Sequence, residues 1–452
     1  MTGGRTRTLF AVGAMLARGT SRAERRLRLL LTAGAALATV FLLGAVNLLL
    51  IEGTTRSRWA GLVTEEGLRP GTAFALTLLV VPVLALLHQV GRIAQATRER
   101  RLAALRLAGA TPRDVRLLGV VEAVRVGTAG AVVGILVYVA GQQALMAVLG
   151  VRDTSRYTVP AWPLPGVVVL VVAATAVVGL RVSRHVVVSP LSVARRASRR
   201  VPSRWTLLPL ALGLPLLAVA RFTGEATGMP LFVLGAALMM TGIAAGASRV
   251  IFEAARLAGR RARTPETLLA ARTLEADPRA GGRTMAVVAL VVAFATATGA
   301  VTWDVVRRDG LVGDPSERFY IVSMGLTYAA LLFALSVAVS ALVVHRAEAL
   351  LEGGRSMAAL AAVGAPVASL RRSALRQTLI AAAPVCALAA LAVLVALVPF
   401  LFLSVQDLPM LAWMAGHAAV VVLVAVSAAA AVTVLSGRLL TRAAAPTRLR
   451  TE

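Results

Sequence analysis

Residues 29–51 read LLLTAGAALATVFLLGAVNLLLI, an apolar run without a charged side chain. A helix needs about 20 such residues to cross the hydrocarbon core of a bilayer, and a secretory signal peptide has a much shorter apolar region. We therefore expect this run to be the first of several membrane spans. Composition agrees, because 58% of the 452 residues are hydrophobic and only 15% are charged, against about 25% charged in soluble domains.

Segments of the same kind recur along the chain and predict an all-α, polytopic transmembrane protein with about ten membrane helices. Their boundaries are good to a few residues. The expected spans are residues 29–51, 72–93, 117–150, 164–180, 205–220, 230–251, 284–301, 319–344, 375–403 and 411–435.

All 48 basic residues are arginine and none is lysine. The distribution of these arginines between the loops predicts the orientation of the spans. With the N-terminus inside, 38 arginines fall in cytoplasmic segments and 9 in outer segments, and Arg125 within the third span completes the set. Basic residues concentrate on the cytoplasmic side of membrane proteins. We therefore expect a multi-pass protein of a bacterial plasma membrane with both termini cytoplasmic. Arginines beside anionic membrane lipid explain the net charge of +27 without nucleic acid.

The chain lacks the residues that several kinds of functional site require. A P-loop needs a lysine to reach the phosphates of ATP, and this chain has none. The single Cys386 excludes an intrachain disulfide, and the four histidines have no metal-ligand spacing. We expect a chain that is not an enzyme and binds no cofactor or metal itself, so that ATP and Mg²⁺ would belong to a partner subunit.

An internal repeat organises the spans. Residues 100–110 read RRLAALRLAGA and residues 355–365 read RSMAALAAVGA, an offset of 255 residues. Each segment lies between the second and third spans of its half, and four spans repeat around a central pair. The predicted arrangement is 4 + 2 + 4, with a first permease-like repeat at 1–204, a two-helix hairpin and linker at 205–265, and a second repeat at 266–452.

The first repeated loop encodes a helix, a tight turn and a second helix. Residues 98–108 place apolar side chains on one face of a short amphipathic helix. Gly109 suits the positive φ that ends a helix, and Thr111 followed by Pro112 suits the start of the next one. The first helix could lie on lipid headgroups or dock in a groove of a cytoplasmic partner. The repeat favours docking, because two equivalent helices would suit a dimeric motor.

Residues 98–137, RERRLAALRLAGATPRDVRLLGVVEAVRVGTAGAVVGILV, resemble the hallmark segment of the FtsX/MacB-like ABC transporter permeases. Members of that family are permease subunits that pair with cytoplasmic ABC ATPase subunits, and duplicated members carry both permease halves in one chain. The resemblance therefore implies two coupling helices that contact an ATPase dimer. The residues it assigns to ATPase coupling are Arg98, Arg101, Leu102, Leu105, Arg106, Gly109, Ala110 and Thr111 in the first half, and Met357, Leu360, Gly364 and Ala365 in the second.

The second copy departs from the first. Gly353 and Gly354 interrupt the helix before the motif, and Pro366 replaces Thr111, which removes the helix cap. We expect unequal coupling, with the stronger ATPase contact in the first half. The outer loops are all short, so the large extracytoplasmic domain of many family members is not expected here.

Glu122 and Arg125 are charged residues three apart near the inner end of the third span. They are either an intramembrane polar site or a pair at the membrane interface. Gly127, Gly130, Gly134 and Gly141 on the same span indicate close helix packing or a moving interface.

The leading hypothesis is a permease subunit that couples ATP hydrolysis by its partner to export or extraction of a lipophilic or amphipathic molecule. One alternative is a non-transporting membrane regulator or scaffold driven by an ATPase partner. The other is an ion-driven secondary transporter, which should show charged residues or broken helices at the midplane.

Overall fold

In the computed structural model, the described residues are 22–51, scattered positions between 69 and 87, 111–148, 158–187, 201–307, 315–352, 363–400 and 408–437. All regular structure within them is helical, as predicted. The α-helices are α1 (Arg22–Leu50), α2 (Pro112–Val148), α3 (Leu164–Val187), α4 (Leu208–Phe222), α5 (Glu225–Arg260), α6 (Pro265–Ala276), α7 (Pro278–Arg307), α8 (Pro315–Glu352), α9 (Val367–Leu397) and α10 (Leu408–Leu435).

Seven helices among the described residues are long and apolar enough to cross a membrane: α1, α2, α4, α5, α7, α9 and α10. The predicted fourth and eighth spans coincide with shorter apolar stretches, Leu164–Leu180 of α3 and Thr327–Ser340 of α8. The predicted second span falls mostly outside the described residues. The protein is therefore a multi-pass membrane protein, and the 4 + 2 + 4 arrangement of ten spans stays a prediction.

The chain divides into two compact units, residues 1–196 with 318–323, and residues 197–317 with 324–452. The predicted hairpin at 205–265 and most of the second repeat therefore fall in the same unit.

In the first unit, α1, α2 and α3 pack closely around small residues. A Cβ atom added to Gly130 of α2 would lie 2.4 Å from the Cβ of Ala35 in α1, and one at Gly127 would lie 2.1 Å from Oγ1 of Thr175 in α3. Gly134 makes an equally close approach, whereas Gly141 has open space around it. Close packing is thus confirmed at three of the four predicted glycines, because only a residue without Cβ lets the backbones approach this far.

Polar groups join the same helices. The buried Asn47 of α1 hydrogen-bonds the hydroxyl of Tyr138 in α2. Nη1 of the buried Arg69 donates to the carbonyl of Ile51, just after α1 ends, at 2.6 Å. The carbonyls at a helix end lack intrahelical partners, so Arg69 satisfies one of them.

In the second unit, α4 and α5 form a tight helical hairpin. A Cβ atom at Gly242 of α5 would lie 2.2 Å from the backbone nitrogen of Leu210 in α4. The buried Arg249 of α5 donates from Nη1 to the carbonyl of Pro202 at 3.0 Å and pairs with Glu253. These contacts fix the segment that leads into the hairpin.

Helix α7 is the centre of the second unit. Its residues 284–293 are all buried, which includes every side of the helix. Helices α5, α9 and α10 pack around it. A helix that is apolar on all sides and surrounded by other helices lies in the protein core rather than against lipid.

The short helix α6 lies between two of these long helices. Ala270, Ala271 and Leu274 are buried where α6 packs against α5 and α9. Leu268 and Leu269 are about two-fifths exposed on its outer surface, at 42% and 41%. Since α6 is not among the helices long enough to span a membrane, its role is to connect α5 to α7.

Candidate coupling junction

The turn at residues 363–366 leads from the second copy of the repeated motif into α9. Gly364 has φ of +97°, the one described residue with positive φ, and this conformation strains any residue with a Cβ. Val363 beside it is 88% exposed. Pro366 occupies the N-cap of α9 and makes no side-chain capping hydrogen bond, as expected from the replacement of Thr111.

Three of the proposed coupling residues lie within the described part of the chain. Thr111 is exposed and directly precedes α2, which begins at Pro112 as the sequence predicts. Gly364 is exposed and Ala365 is partly buried. The others, Arg98, Arg101, Leu102, Leu105, Arg106, Gly109, Ala110, Met357 and Leu360, lie outside the described residues.

The first three turns of α9 bind the start of α6 through charged and polar side chains. Nη1 of Arg372 lies 3.6 Å from Oε1 of Glu266, and Nη1 of Arg376 lies 3.7 Å from Oε2 of the same carboxylate. Arg376 also donates to Oγ1 of Thr267 at 2.5 Å and to Oγ1 of Thr264. We call this set the coupling junction: Thr264, Glu266, Thr267, Ser369, Arg372 and Arg376.

The junction holds Glu266 in its ionised form. The pKa of Glu266 is lowered, mainly because its own backbone N–H donates to the carboxylate. The positive charges of Arg376 and Arg372 and a hydrogen bond from Ser369 lower it further, whereas partial burial raises it. The side chain of Glu266 is only 11% exposed, whereas that of Arg372 is 67% exposed. The carboxylate is thus the sheltered centre of the junction, and Arg372 is its outer edge.

A single residue connects the end of α6 to the core helix α7. Asp277 lies between the end of α6 and the start of α7, and its Oδ1 accepts from the backbone N–H of Ala280 at 3.1 Å. Its own N–H donates to the carbonyl of Thr273. The junction and the base of α7 are therefore joined through α6 and Asp277.

Glu122 of α2 has a partner on another helix. Its Oε1 lies 3.2 Å from Nε of Arg28 in α1, and both side chains are about 30% exposed, at 30% and 28%. Arg125 is exposed. The Glu122–Arg28 pair joins the ends of two helices of the first unit.

Aromatic residues form a second polar cluster at the other end of the second unit. Nε1 of Trp413 donates to the carbonyl of Gly299 at 3.2 Å, and a ring nitrogen of His417 lies 2.9 Å from the carbonyl of Ala295. The hydroxyl of Tyr328 lies 2.9 Å from that of Thr302. These hydrogen bonds tie α10 and α8 to α7, so His417 has a structural place in helix packing.

Sequence reasoning passed over the coupling junction. Thr264-Pro265-Glu266 is typical of a helix start, and Arg371, Arg372 and Arg376 lie on the first turns of a long apolar helix. Those signals locate the two ends of the junction separately. They do not show that the two segments are in contact, because about 110 residues separate Glu266 from Arg376 in the chain.

Comparison with known proteins identifies part of the first unit. Residues 73–190 match the family model described as FtsX-like permease, C-terminal. The match includes the segment 98–137 on which the resemblance rests, together with the predicted second to fourth spans. No curated protein and no solved structure matches the chain significantly.

Proposed function

Because residues 73–190 carry an FtsX-like permease domain in a multi-pass membrane protein, we propose that the chain is the transmembrane subunit of an ATP-binding cassette complex. It passes conformational changes from cytoplasmic ATPase subunits, acting as a dimer, to the membrane helices. Export or extraction of a lipophilic or amphipathic molecule is the activity we assign to the complex. The plasma membrane of a bacterium, with both termini cytoplasmic, is its proposed location.

The coupling junction is the observation that supports this proposal. The turn at 363–366 is exposed and followed directly by α9, so a partner that binds the turn acts on the first turns of that helix. Those turns hold Glu266 of α6 through Arg372 and Arg376. A push on the turn thus reaches two membrane helices, α9 directly and α7 through α6.

The two copies of the motif differ, and we assign them different roles in contact with the ATPase. The first half has a helix-forming segment before its turn, whereas the second has Gly353 and Gly354 there, each costing about 1 kcal/mol relative to alanine in a helix. We therefore assign the stronger ATPase contact to residues 98–111. The second half contributes the coupling junction, which passes a movement of α9 to α6 and α7.

The test is purification of the tagged full-length chain from its native membrane, followed by identification of bound subunits and measurement of ATP hydrolysis. We expect an ATP-binding cassette subunit to co-purify. Leu105→Pro or Arg106→Glu should reduce its retention and ATPase stimulation several-fold, and Leu360→Pro should have a smaller effect. A wild-type chain that retains no ATPase would overturn the proposal, and equal effects of the two proline variants would overturn the asymmetry alone.

Transport is tested by reconstituting the complex in vesicles and following ATP-dependent movement of lipophilic dyes. Movement that stops in Leu105→Pro supports the transporter. ATPase stimulation by the chain with no movement of any compound would favour the regulator or scaffold instead.

A further inference from the structure

A polar link joins three helices of the second unit at Arg346. Nη1 of Arg346 in α8 donates to Oε1 of Gln377 in α9 at 3.2 Å, and Nη2 donates to Oγ1 of Thr378. Oγ1 of Thr378 lies 2.7 Å from Oγ1 of Thr433 in α10. Thr378 is fully buried and Thr433 is 4% exposed, so the part of the link that faces the helix core is inaccessible to solvent.

The positive charge of Arg346 meets only neutral oxygens within the described residues. Its hydrogen-bond partners there are an amide and a hydroxyl, and its Nε atom is buried without a partner. Arginine stays protonated in proteins, and a buried charge without a counter-ion is strongly unfavourable. Among the described residues, the guanidinium therefore has no anion beside it.

The described carboxylates of the second unit are engaged elsewhere. Glu253 pairs with Arg249 and Glu275 pairs with Arg272. Glu266 belongs to the coupling junction, and Asp277 accepts from the backbone N–H of Ala280. The repeat sharpens the contrast, because Gln377 lies 255 residues after Glu122. Where the first half has a carboxylate that pairs with Arg28, the second half has a neutral amide facing an arginine.

The position of Arg346 along the helices puts it at the level of lipid headgroups. It lies two residues after the predicted end of the eighth span at residue 344, which corresponds to about 3 Å along a helix. In α9, the residues after Thr378 extend to Leu397, about 28 Å of helix and close to the hydrocarbon thickness of roughly 30 Å. Both helices therefore place the link just outside the hydrocarbon core.

Arg346 also lies at the edge of the helix bundle rather than at its centre. Leu342, one turn earlier in α8, is 1% exposed, whereas Val343 is 46% exposed and Leu379 of α9 is 38% exposed. One side of the arginine is held by protein, and we expect the exposed apolar side chains beside it to face lipid. A headgroup in the adjacent leaflet can reach the guanidinium from that surface.

We propose that Arg346, held in place by Gln377 and Thr378, is a binding site for a phosphate group. Phosphate oxygens accept the paired N–H donors of a guanidinium and supply the missing negative charge. Lipid headgroups on the side of the membrane that carries the arginine-rich loops are one source of this group, and soluble phosphate is the other. The site is separate from the proposed ATPase contact and does not depend on it.

Two variants test the site in different ways. Arg346→Gln removes the guanidinium, and Gln377→Glu keeps it but supplies an internal carboxylate where the phosphate would bind. Arg256→Gln is the matched control, because Arg256 is exposed on α5 and its loss changes the net charge by the same amount as Arg346→Gln. All four full-length proteins are placed in nanodiscs that contain phosphatidylglycerol and phosphatidylcholine, and retained lipid is measured by native mass spectrometry.

For a lipid phosphate, the wild type and Arg256→Gln should retain at least about threefold more phosphatidylglycerol than Arg346→Gln and Gln377→Glu, with inorganic phosphate unable to displace it. For soluble phosphate, the wild type should bind inorganic phosphate and both site variants should lose that binding. Either result supports the site. Equal binding of lipid and of phosphate by all four proteins would overturn it and leave Arg346 a packing residue.

Discussion

Arg376 and Glu266 meet across two helices that are distant in sequence, with Nη1 of the arginine 3.7 Å from Oε2 of the carboxylate. Arg376 also donates to Thr264 and Thr267 of the coupling junction. Arg372 shares Glu266 but is 67% exposed, against 35% for Arg376. The two arginines should therefore contribute different amounts to the stability of the chain.

Arg376→Gln should destabilise the chain by about 1–2 kcal/mol, since it removes charge-assisted hydrogen bonds to two threonine hydroxyls. Arg372→Gln should cost less than about 1 kcal/mol, as expected of an exposed ion pair. The measurement is thermal unfolding in detergent, followed by circular dichroism. Equal losses of stability in the two variants would contradict the larger contribution expected of Arg376.

Replacing Glu266 should change how stability depends on pH. The pKa of Glu266 is lower in the folded chain than its ordinary value, so its contribution is present above the ordinary glutamate pKa of about 4.3 and is lost as pH falls through the folded pKa. Wild type should thus melt at a higher temperature than Glu266→Gln at neutral pH, and the difference should shrink in acid. A difference in melting temperature that grows as pH falls would show the opposite sign.

Gly364→Ala should destabilise the turn before α9 by about 1–2 kcal/mol, because φ of +97° strains a residue with a Cβ. Gly416→Ala in α10 is the matched control. Both glycines have no neighbouring atom within 4 Å of an added Cβ, so only backbone conformation distinguishes them. Thermal unfolding should separate the two variants, and equal melting temperatures would argue against the turn as described.

Gly130→Ala should loosen the packing of α2 against α1 at a cost of about 1–3 kcal/mol. The added Cβ would lie 2.8 Å from the carbonyl oxygen of Thr32 and closer still to Ala35. Gly141→Ala, in open space on the same helix, should be neutral or slightly stabilising. The comparison is again made by thermal unfolding, and a neutral Gly130→Ala would contradict the close approach of the two helices.

Orientation can be tested with single cysteines introduced into a Cys386→Ala background, since the native thiol is buried. Val363→Cys lies on the exposed turn before α9, and Gly224→Cys lies in the exposed connection between α4 and α5. With the termini inside, a membrane-impermeant maleimide added to intact cells should label residue 224 and leave residue 363 unlabelled until the membrane is opened. The reverse pattern would invert the proposed topology.

The sequence predicts the helices well because the bilayer fixes their length and composition. It also predicts the start of α2 at Pro112 and the missing cap at Pro366, since both are set by neighbouring residues in the chain. It does not show which spans contact protein. Helices α7 and α10 are both apolar on all sides, yet residues 284–293 of α7 are buried whereas Leu423 of α10 is 68% exposed.

The same limit applies to the polar contacts. Spacing along the chain groups Glu122 with Arg125, but it does not reveal Arg28 of another helix, which the structure places beside Glu122. Periodicity describes one helix at a time, and hydrophobicity is equal toward lipid and toward a neighbouring helix. Pairings between helices depend on rotation and depth, which a single sequence does not encode separately.

The one-residue connection at Asp277 has a mechanical consequence. Helices α6 and α7 end and begin on either side of it, which leaves too little chain for either helix to shift alone. We therefore expect a tilt of α6 to move the start of α7 with it. Because α7 is enclosed by neighbouring helices, we expect a displacement of its start to change the packing of those helices as well.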